Sequence, residues 1–216
     1  MDATPATPRP AATVILLRRG GRHVQRAVEV LMVRRTLEAS FMPGVWVFPG
    51  GVVEGSEATE GMEASGADAE EMAHRACAIR ELAEEAGIEL GAEADLVPWS
   101  RWITPEMVPM RFDTRFYVAL APPHSPPRAD GTETIDAGWF APADALERKR
   151  AGEMSIAFPT VKHLESLEGY ADADAVLAAA RERVVEPILP RVVGEGDARR
   201  IVIPGEPPHA PSEADR

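Results

Sequence analysis

The stretch Arg80-Glu81-Leu82-Ala83-Glu84-Glu85-Ala86-Gly87-Ile88, preceded by Phe48-Pro49-Gly50-Gly51, orders the rest of this chain. At about 100° per residue, a helix places Glu81, Glu84 and Glu85 within an arc of roughly 100°. Met72, Ala76, Ile79, Ala83 and Ala86 fall opposite them. The expected helix therefore has a core-facing side of small and medium apolar residues and an outward side carrying three carboxylates. Like charges at i, i+3 and i+4 destabilise a bare helix by about 0.2–0.5 kcal/mol per pair. Arg80, one turn before Glu84, is one offsetting charge. A hard divalent cation is another, because Mg²⁺ and Mn²⁺ take oxygen ligands. A solvated acidic face is the plain alternative. Gly87 stands where the helix must stop. Asp68 and Glu71 have the spacing of an N-cap and its reciprocal partner. Cys77 falls on the acidic side and reads as a packed thiol, since no His–acid pair accompanies it.

Upstream, residues 12–18 (ATVILLR) and 28–34 (VEVLMVR) read as two strands of a hairpin around Arg19-Gly20-Gly21-Arg22. A loop over 35–44 leads into a short strand, 45–48, and then into Gly50-Gly51, which suit a close backbone approach. Residues 54–67 are acidic and Gly-containing, without core signal. Downstream, 112–120 and 132–140 alternate as strands, with a Pro-rich loop between them. Helical segments come next at 143–150, from Phe158 to about Glu168, and over 172–183, then extended pieces at 188–193 and 200–203. Strands flanking one long helix predict a mixed α/β sandwich. The expected organisation is one domain over 12–205, with disordered tails at 1–11 and 206–216.

With 216 residues the chain can build one real core. A formal net charge of −12 argues against nucleic acid as a partner. It leaves room for a small anionic substrate bridged to the carboxylates by metal. No apolar run approaches the roughly 20 residues that cross a membrane. The first residues lack a signal-peptide core, and the last three are not a peroxisomal Ser-Lys-Leu address. The single cysteine fits a reducing cytoplasm. His23, His74, His124, His163 and His209 show no zinc spacing.

The order R-E-apolar-x-E-E-x-G-apolar resembles the second half of the Nudix signature, G-x5-E-x7-R-E-U-x-E-E-x-G-U. It matches without substitution from Arg80 to Ile88, and Gly51-x5-Glu57 matches the first half. Residues 58–79 separate Glu57 from Arg80 where the pattern has seven, which reads as an insertion of about 15 residues in a loop. The resemblance implies a Nudix-type α/β/α sandwich with a mixed sheet. It also implies a metal-dependent pyrophosphohydrolase using Mg²⁺ or Mn²⁺ on a nucleotide-type small molecule, and a homodimer. Glu81, Glu84 and Glu85 are implied metal ligands, with the Gly51 carbonyl and Glu133 as further ones. Glu84 would hold metal or accept the proton of the attacking water; Glu81 and Arg80 complete the implied catalytic set, Arg80 fixing a glutamate. Further segments, Trp102-Ile103-Thr104-Pro105, Arg111-Phe112-Asp113-Thr114 and Ile203-Pro204-Gly205, resemble the subgroup of the peroxisomal coenzyme A diphosphatase. The coenzyme A motif R-[SA]-x3-R-x3-G-x3-F-P-G-G is met at Arg35, Gly44 and Phe48 to Gly51. Thr36 and Ser40 depart from it. Arg35, Gly50, Arg111 and Trp102 are the implied substrate contacts, although Trp99, Trp102 and Trp139 also suit a core. Coenzyme A or an acyl-CoA leads among the expected substrates. A nucleotide sugar, ADP-ribose or a dinucleotide is the alternative within the class, and a non-catalytic ligand-binding regulator the alternative outside it.

Overall fold

Strand β1 (Arg9–Arg19) is the centre of a mixed sheet. Along one edge it runs antiparallel to β2 (Val28–Arg35), with Leu17 opposite Val30, and to β4 (Gly50–Val52), with Ala12 opposite Gly51. Along the other edge it is parallel to β6 (Phe112–Leu120). β2 also pairs antiparallel with β3 (Trp46–Val47) and β7 (Thr134–Phe140). β5 (Val97–Ile103) extends the sheet from β6 towards the short β8 (Pro187–Ile188). Two further strands, β9 (Arg191–Val193) and β10 (Arg200–Val202), form a separate antiparallel pair. This computed structural model describes residues 5–19, 28–55, 57, 67–91, 94–194 and 200–207. The expected turn at 20–22, most of the insertion (56 and 58–66), residues 1–4 of the expected leading tail and 208–216 of the trailing one lie outside them.

The continuous apolar runs of β1 and β2 are explained by burial of both sheet faces. Val14, Leu16, Leu31 and Val33 pack with Ala78 and Leu82 of α1 (Ala67–Ala86) on one side. Ile15, Leu17, Val30 and Met32 pack on the other, against α2 (Pro142–Arg150), α3 (Phe158–Leu167) and α4 (Ala173–Arg181). The strict alternation reflects the two-residue period of a strand. The mixed α/β sandwich is thus what the chain adopts. β1 starts at Arg9, earlier than expected, because Arg9 to Ala11 pair with Phe112 to Thr114 of β6.

Helix α1 ends as expected at Gly87, whose φ of 63° suits a residue without Cβ. Its orientation is rotated from the expectation: Ala86 is buried and Glu84 exposed as expected, but Glu81 and Glu85 are buried. The buried residues are Ala73, His74, Cys77, Ala78, Glu81, Leu82, Glu85 and Ala86, whereas Met72 is half exposed. The face carrying Glu81 and Glu85 therefore looks inward. Small residues on that face, Ala73, Cys77 and Ala78, let the helix lie close to the sheet, and its C-terminal half reaches past the apolar strands onto β4. Glu71 is not a cap partner. It accepts from Arg75, Arg115 and the Tyr117 hydroxyl.

Candidate active site

The Gly50-Gly51 turn and the end of α1 are built against one another. The Pro49 carbonyl accepts from the Val14 N–H at 3.0 Å, which starts the β4–β1 pairing. The Gly50 N–H donates to Glu85 Oε2 at 3.0 Å. A Cβ on Gly50 would overlap Thr13 and the Ala12 carbonyl, and one on Gly51 would overlap the Glu81 carboxylate. Both glycines are needed because backbone meets carboxylate directly. Under the turn, the buried Cys77 thiol donates to the Gly51 carbonyl at 3.5 Å. Burial and the nearby Glu57 and Glu81 charges push that thiol up to about 12, so it is inert at neutral pH.

Arg80 is the hub. Its Nε donates to Glu57 Oε1 at 2.8 Å, and its Nη1 reaches Glu84 Oε2 at 2.7 Å and Glu81 Oε1 at 2.8 Å. Nη2 donates to the Val52 carbonyl at 3.2 Å. Burial alone would lower the guanidinium, but these carboxylates hold it above its ordinary value. Glu57, which the long separation left outside the expected site, is buried, and its Oε2 accepts from the Glu54 N–H at 2.7 Å. Its place in G-x5-E was the signal that could have assigned it.

Burial raises both Glu81 and Glu85. For Glu85 the Gly50 N–H and the Arg35 charge oppose this, Glu81 and Glu133 add to it, and the result is about 8. Glu133, just ahead of β7, joins Glu81, Glu84 and Glu85 in lining an open cleft of about 820 Å³, together with Arg35, Ser40 and Phe41. Glu133 is placed by a tight loop. Asp130 accepts from the N–H groups of Thr132, Glu133 and Thr134, and from the Thr132 hydroxyl. The Thr134 hydroxyl lies 2.7 Å from the Glu85 carbonyl and 2.9 Å from Asp130. Arg128 N–H donates to the Ala86 carbonyl at 2.8 Å, so this loop satisfies carbonyls at the end of α1. Asp130 and Thr134 were not singled out from sequence, since no local pattern ties them to the helix.

Of the implied substrate contacts, Gly50 and Arg35 line the cleft, with Arg35 Nε anchored on the Phe41 carbonyl at 3.1 Å. Arg111 does not line it. Its guanidinium donates to the carbonyls of Thr104 and Ala6. Trp102 lies in the core beneath the neighbouring space, its Nε1 buried without a partner, and Trp99 is also core. Arg115 is paired with Glu70 and Glu71.

Among the described residues, no three His, Cys, Asp or Glu side chains converge at metal-ligand spacing. Glu81 and Glu84 are instead both paired with Arg80. The donor set nevertheless fits a hard divalent cation: several carboxylates and a backbone carbonyl, with one arginine shared among three of the acids. No helix among the described residues is long and apolar enough to cross a membrane.

Residues 7–161 match the NUDIX domain family. The chain is 28% identical to a Caenorhabditis elegans protein carrying the name nudix hydrolase 7, over 86% of this chain and 68% of that one. It is 23% identical to an acyl-coenzyme A diphosphatase, NUDT19, of Gallus gallus, over 82% of this chain and 72% of that one. Among solved structures, a NUDIX hydrolase from Alicyclobacillus acidocaldarius superposes with a TM-score of 0.67 at 27% identity, covering 80% of this chain and 96% of that one. The NUDIX domain of Shewanella oneidensis NrtR, complexed with ADP ribose, shares the fold at 16% identity and a TM-score of 0.52, over 76% of this chain and 88% of that one. With its family match spanning the sheet, α1 and the cleft, this chain belongs to the NUDIX domain family and is a diphosphate-cleaving hydrolase.

Proposed function

We propose that the chain cleaves the diphosphate of coenzyme A or its thioesters with Mg²⁺ or Mn²⁺. The observation that carries this is the cleft, which Glu81, Glu84, Glu85 and Glu133 line together with Arg35. Four carboxylates repel a diphosphate unless hard cations lie between. Glu81, Glu84 and Glu85 would hold such ions, with Glu133 and the Gly51 carbonyl as additional oxygens. A cation there neutralises phosphate charge and lowers the pKa of bound water. The Gly50 N–H keeps Glu85 aimed at the turn. Arg80 orients Glu81 and Glu84. Glu84, the most exposed of the three, would accept the proton from water. Arg35, which lines the cleft with its Nε held by the Phe41 carbonyl, would offer its remaining guanidinium N–H groups to a phosphate oxygen.

Coenzyme A is favoured by Arg35, Gly44 and Phe48 to Gly51, and by the likeness to the Gallus gallus acyl-coenzyme A diphosphatase. Ser40 supports a second reading. It lines the cleft where the coenzyme A motif has a second arginine, which favours a substrate with less charge, such as ADP-ribose, a nucleotide sugar or a dinucleotide. The test is hydrolysis of coenzyme A, acetyl-CoA, ADP-ribose, NADH and a nucleotide sugar with each metal, beside Glu85→Gln. Release of 3′,5′-ADP and 4′-phosphopantetheine, reduced at least about 100-fold in the variant, is the expected result. Turnover of another member alone would remove coenzyme A. No turnover of any member, with ligand binding intact, would leave a non-catalytic module.

A further inference from the structure

The main chain at Glu133 is pinned from two sides. On one side stands Asp130, an exposed residue whose carboxylate turns back on its own loop. The Thr134 N–H donates to Asp130 Oδ1 at 2.7 Å, and the Glu133 and Thr132 N–H groups donate to Oδ2 at 3.0 Å and 3.2 Å. The Thr132 hydroxyl donates to Oδ2 as well. Gly131 closes the turn, with a φ of 84° and its N–H donating to the Thr134 carbonyl at 2.8 Å. On the other side, the Thr36 N–H, next in the chain to Arg35, donates to the Glu133 carbonyl at 2.8 Å. Both polar groups of the Glu133 main chain are therefore engaged. Its side chain is not: among the described residues, none gives that carboxylate a hydrogen bond or an ion pair. It nevertheless lines the cleft with Glu81 and Glu85, and its charge bears on both.

We infer that Asp130 is a positioning residue, which holds the Glu133 carboxylate ready for a cation by accepting the N–H groups of its loop and is not itself a ligand; the inference rests on the reading of this cleft as a divalent-cation site. Asp130 also lines the cleft. Its oxygens, however, already take four donors from Thr132, Glu133 and Thr134, and a carboxylate offers only about four lone-pair sites. Glu133 is the converse, a carboxylate without a partner on a main chain that is fixed. A ligand delivered by a loose loop must be ordered as the cation binds, which weakens binding. Hydrogen bonds from main-chain N–H groups to a charged side chain order this turn beforehand. The Thr134 hydroxyl, 2.7 Å from the Glu85 carbonyl, and the Thr36 N–H then fix the turn relative to the end of α1 and to Arg35.

The experiment is Mn²⁺ titration calorimetry of the full chain without substrate, so no arm of it needs turnover. Glu133→Gln and Asp130→Ala are each expected to weaken Mn²⁺ binding about tenfold, the scale on which groups that orient metal ligands act. Asp130→Asn is expected to lose under about threefold, because its side-chain carbonyl still accepts from the loop N–H groups. In a Glu133→Gln background, Asp130→Ala is expected to cost under about threefold more, since the group it positions is already gone. Asp130 and Glu133 are exposed, so these substitutions leave the core intact. Two outcomes would overturn the inference by giving Asp130 another role. A loss with Asp130→Asn as large as with Asp130→Ala would make its carboxylate a ligand. A loss of about tenfold from Asp130→Ala persisting in the Glu133→Gln background would show it acting on the end of α1 instead. Mn²⁺ binding that ignores either Asp130→Ala or Glu133→Gln would remove the positioning role and leave the cation site standing. Absence of saturable Mn²⁺ binding by the unaltered chain would overturn the cation reading, and this inference with it.

Discussion

One arginine among three carboxylates sets the behaviour of the site at the residue scale. Arg80 pairs with Glu57, Glu81 and Glu84, and Glu57 is the most buried of them. Glu57 is a positioning residue, because it holds Nε while Nη1 serves the two helical acids. Glu57→Gln keeps the shape and removes the charge. It is expected to lower kcat about tenfold or more with little change in KM, the mark of an effect transmitted through Arg80, and equal kinetics in steady-state assays would show that Arg80 is held without it. Glu57 and Arg80 are far apart in sequence, and the family pattern named both, but their contact was not legible, because residues 58–79 separate them. Arg111 shows the converse. Its sequence context suggested phosphate, yet two backbone carbonyls take its donors.

At the scale of elements, α1 and the loop 128–134 act as one unit. The loop satisfies the Glu85 and Ala86 carbonyls at the helix end and at the same time carries Glu133 to the cleft. The hydrogen bonds converging on Asp130 overcome its partial burial and hold its carboxyl well below the ordinary range, so it accepts from the loop N–H groups across ordinary pH. Thr134→Val leaves the fully buried Thr134 site filled but the Glu85 carbonyl without that hydroxyl donor. The expected cost is about 1–3 kcal/mol, which for a chain of this size lowers Tm by roughly 2–12 °C. A thermal scan by circular dichroism measures it, and an unchanged Tm would mean that the loop contributes nothing to the helix end. The span of α1 and its stop at Gly87 were readable from periodicity and from glycine's access to positive φ. Its buried face was not. A wheel treats glutamate as a mark of solvent, whereas here small residues beside Glu81 and Glu85 draw that face inward.

Across the whole molecule, the two faces of the sheet carry different work. The α1 side presents the carboxylates, while the other side is closed by a histidine in the core. His163 joins β5 to α3: Nε2 lies 2.6 Å from the Ser100 hydroxyl and Nδ1 2.6 Å from the Pro159 carbonyl, with the Phe116 ring 4.3 Å away. These contacts assign the proton to Nδ1 and leave Nε2 to accept. Burial lowers the imidazole to about 3, helped by the Arg183 charge and opposed by Pro159. Its unfolded counterpart titrates near 6.5. Between those values the unfolded chain binds a proton that the folded chain refuses. Stability is therefore full above about pH 6.5 and falls as pH drops towards 3, by up to about 1.4 kcal/mol per pH unit from this group. Urea denaturation of His163→Gln across that window should show a shallower pH slope than the parent, and parallel slopes would remove His163 as the source. Strand runs, the helix span, its glycine stop and the i, i+3, i+4 carboxylates were legible because each depends on neighbours within one or two turns of chain. Which face of α1 is buried, the return of Glu57 to Arg80, and the stitching of Asp130 and Thr134 to the helix end were not. Each results from donors, acceptors and apolar surfaces competing for partners across the sheet, and local spacing carries no record of which partner wins.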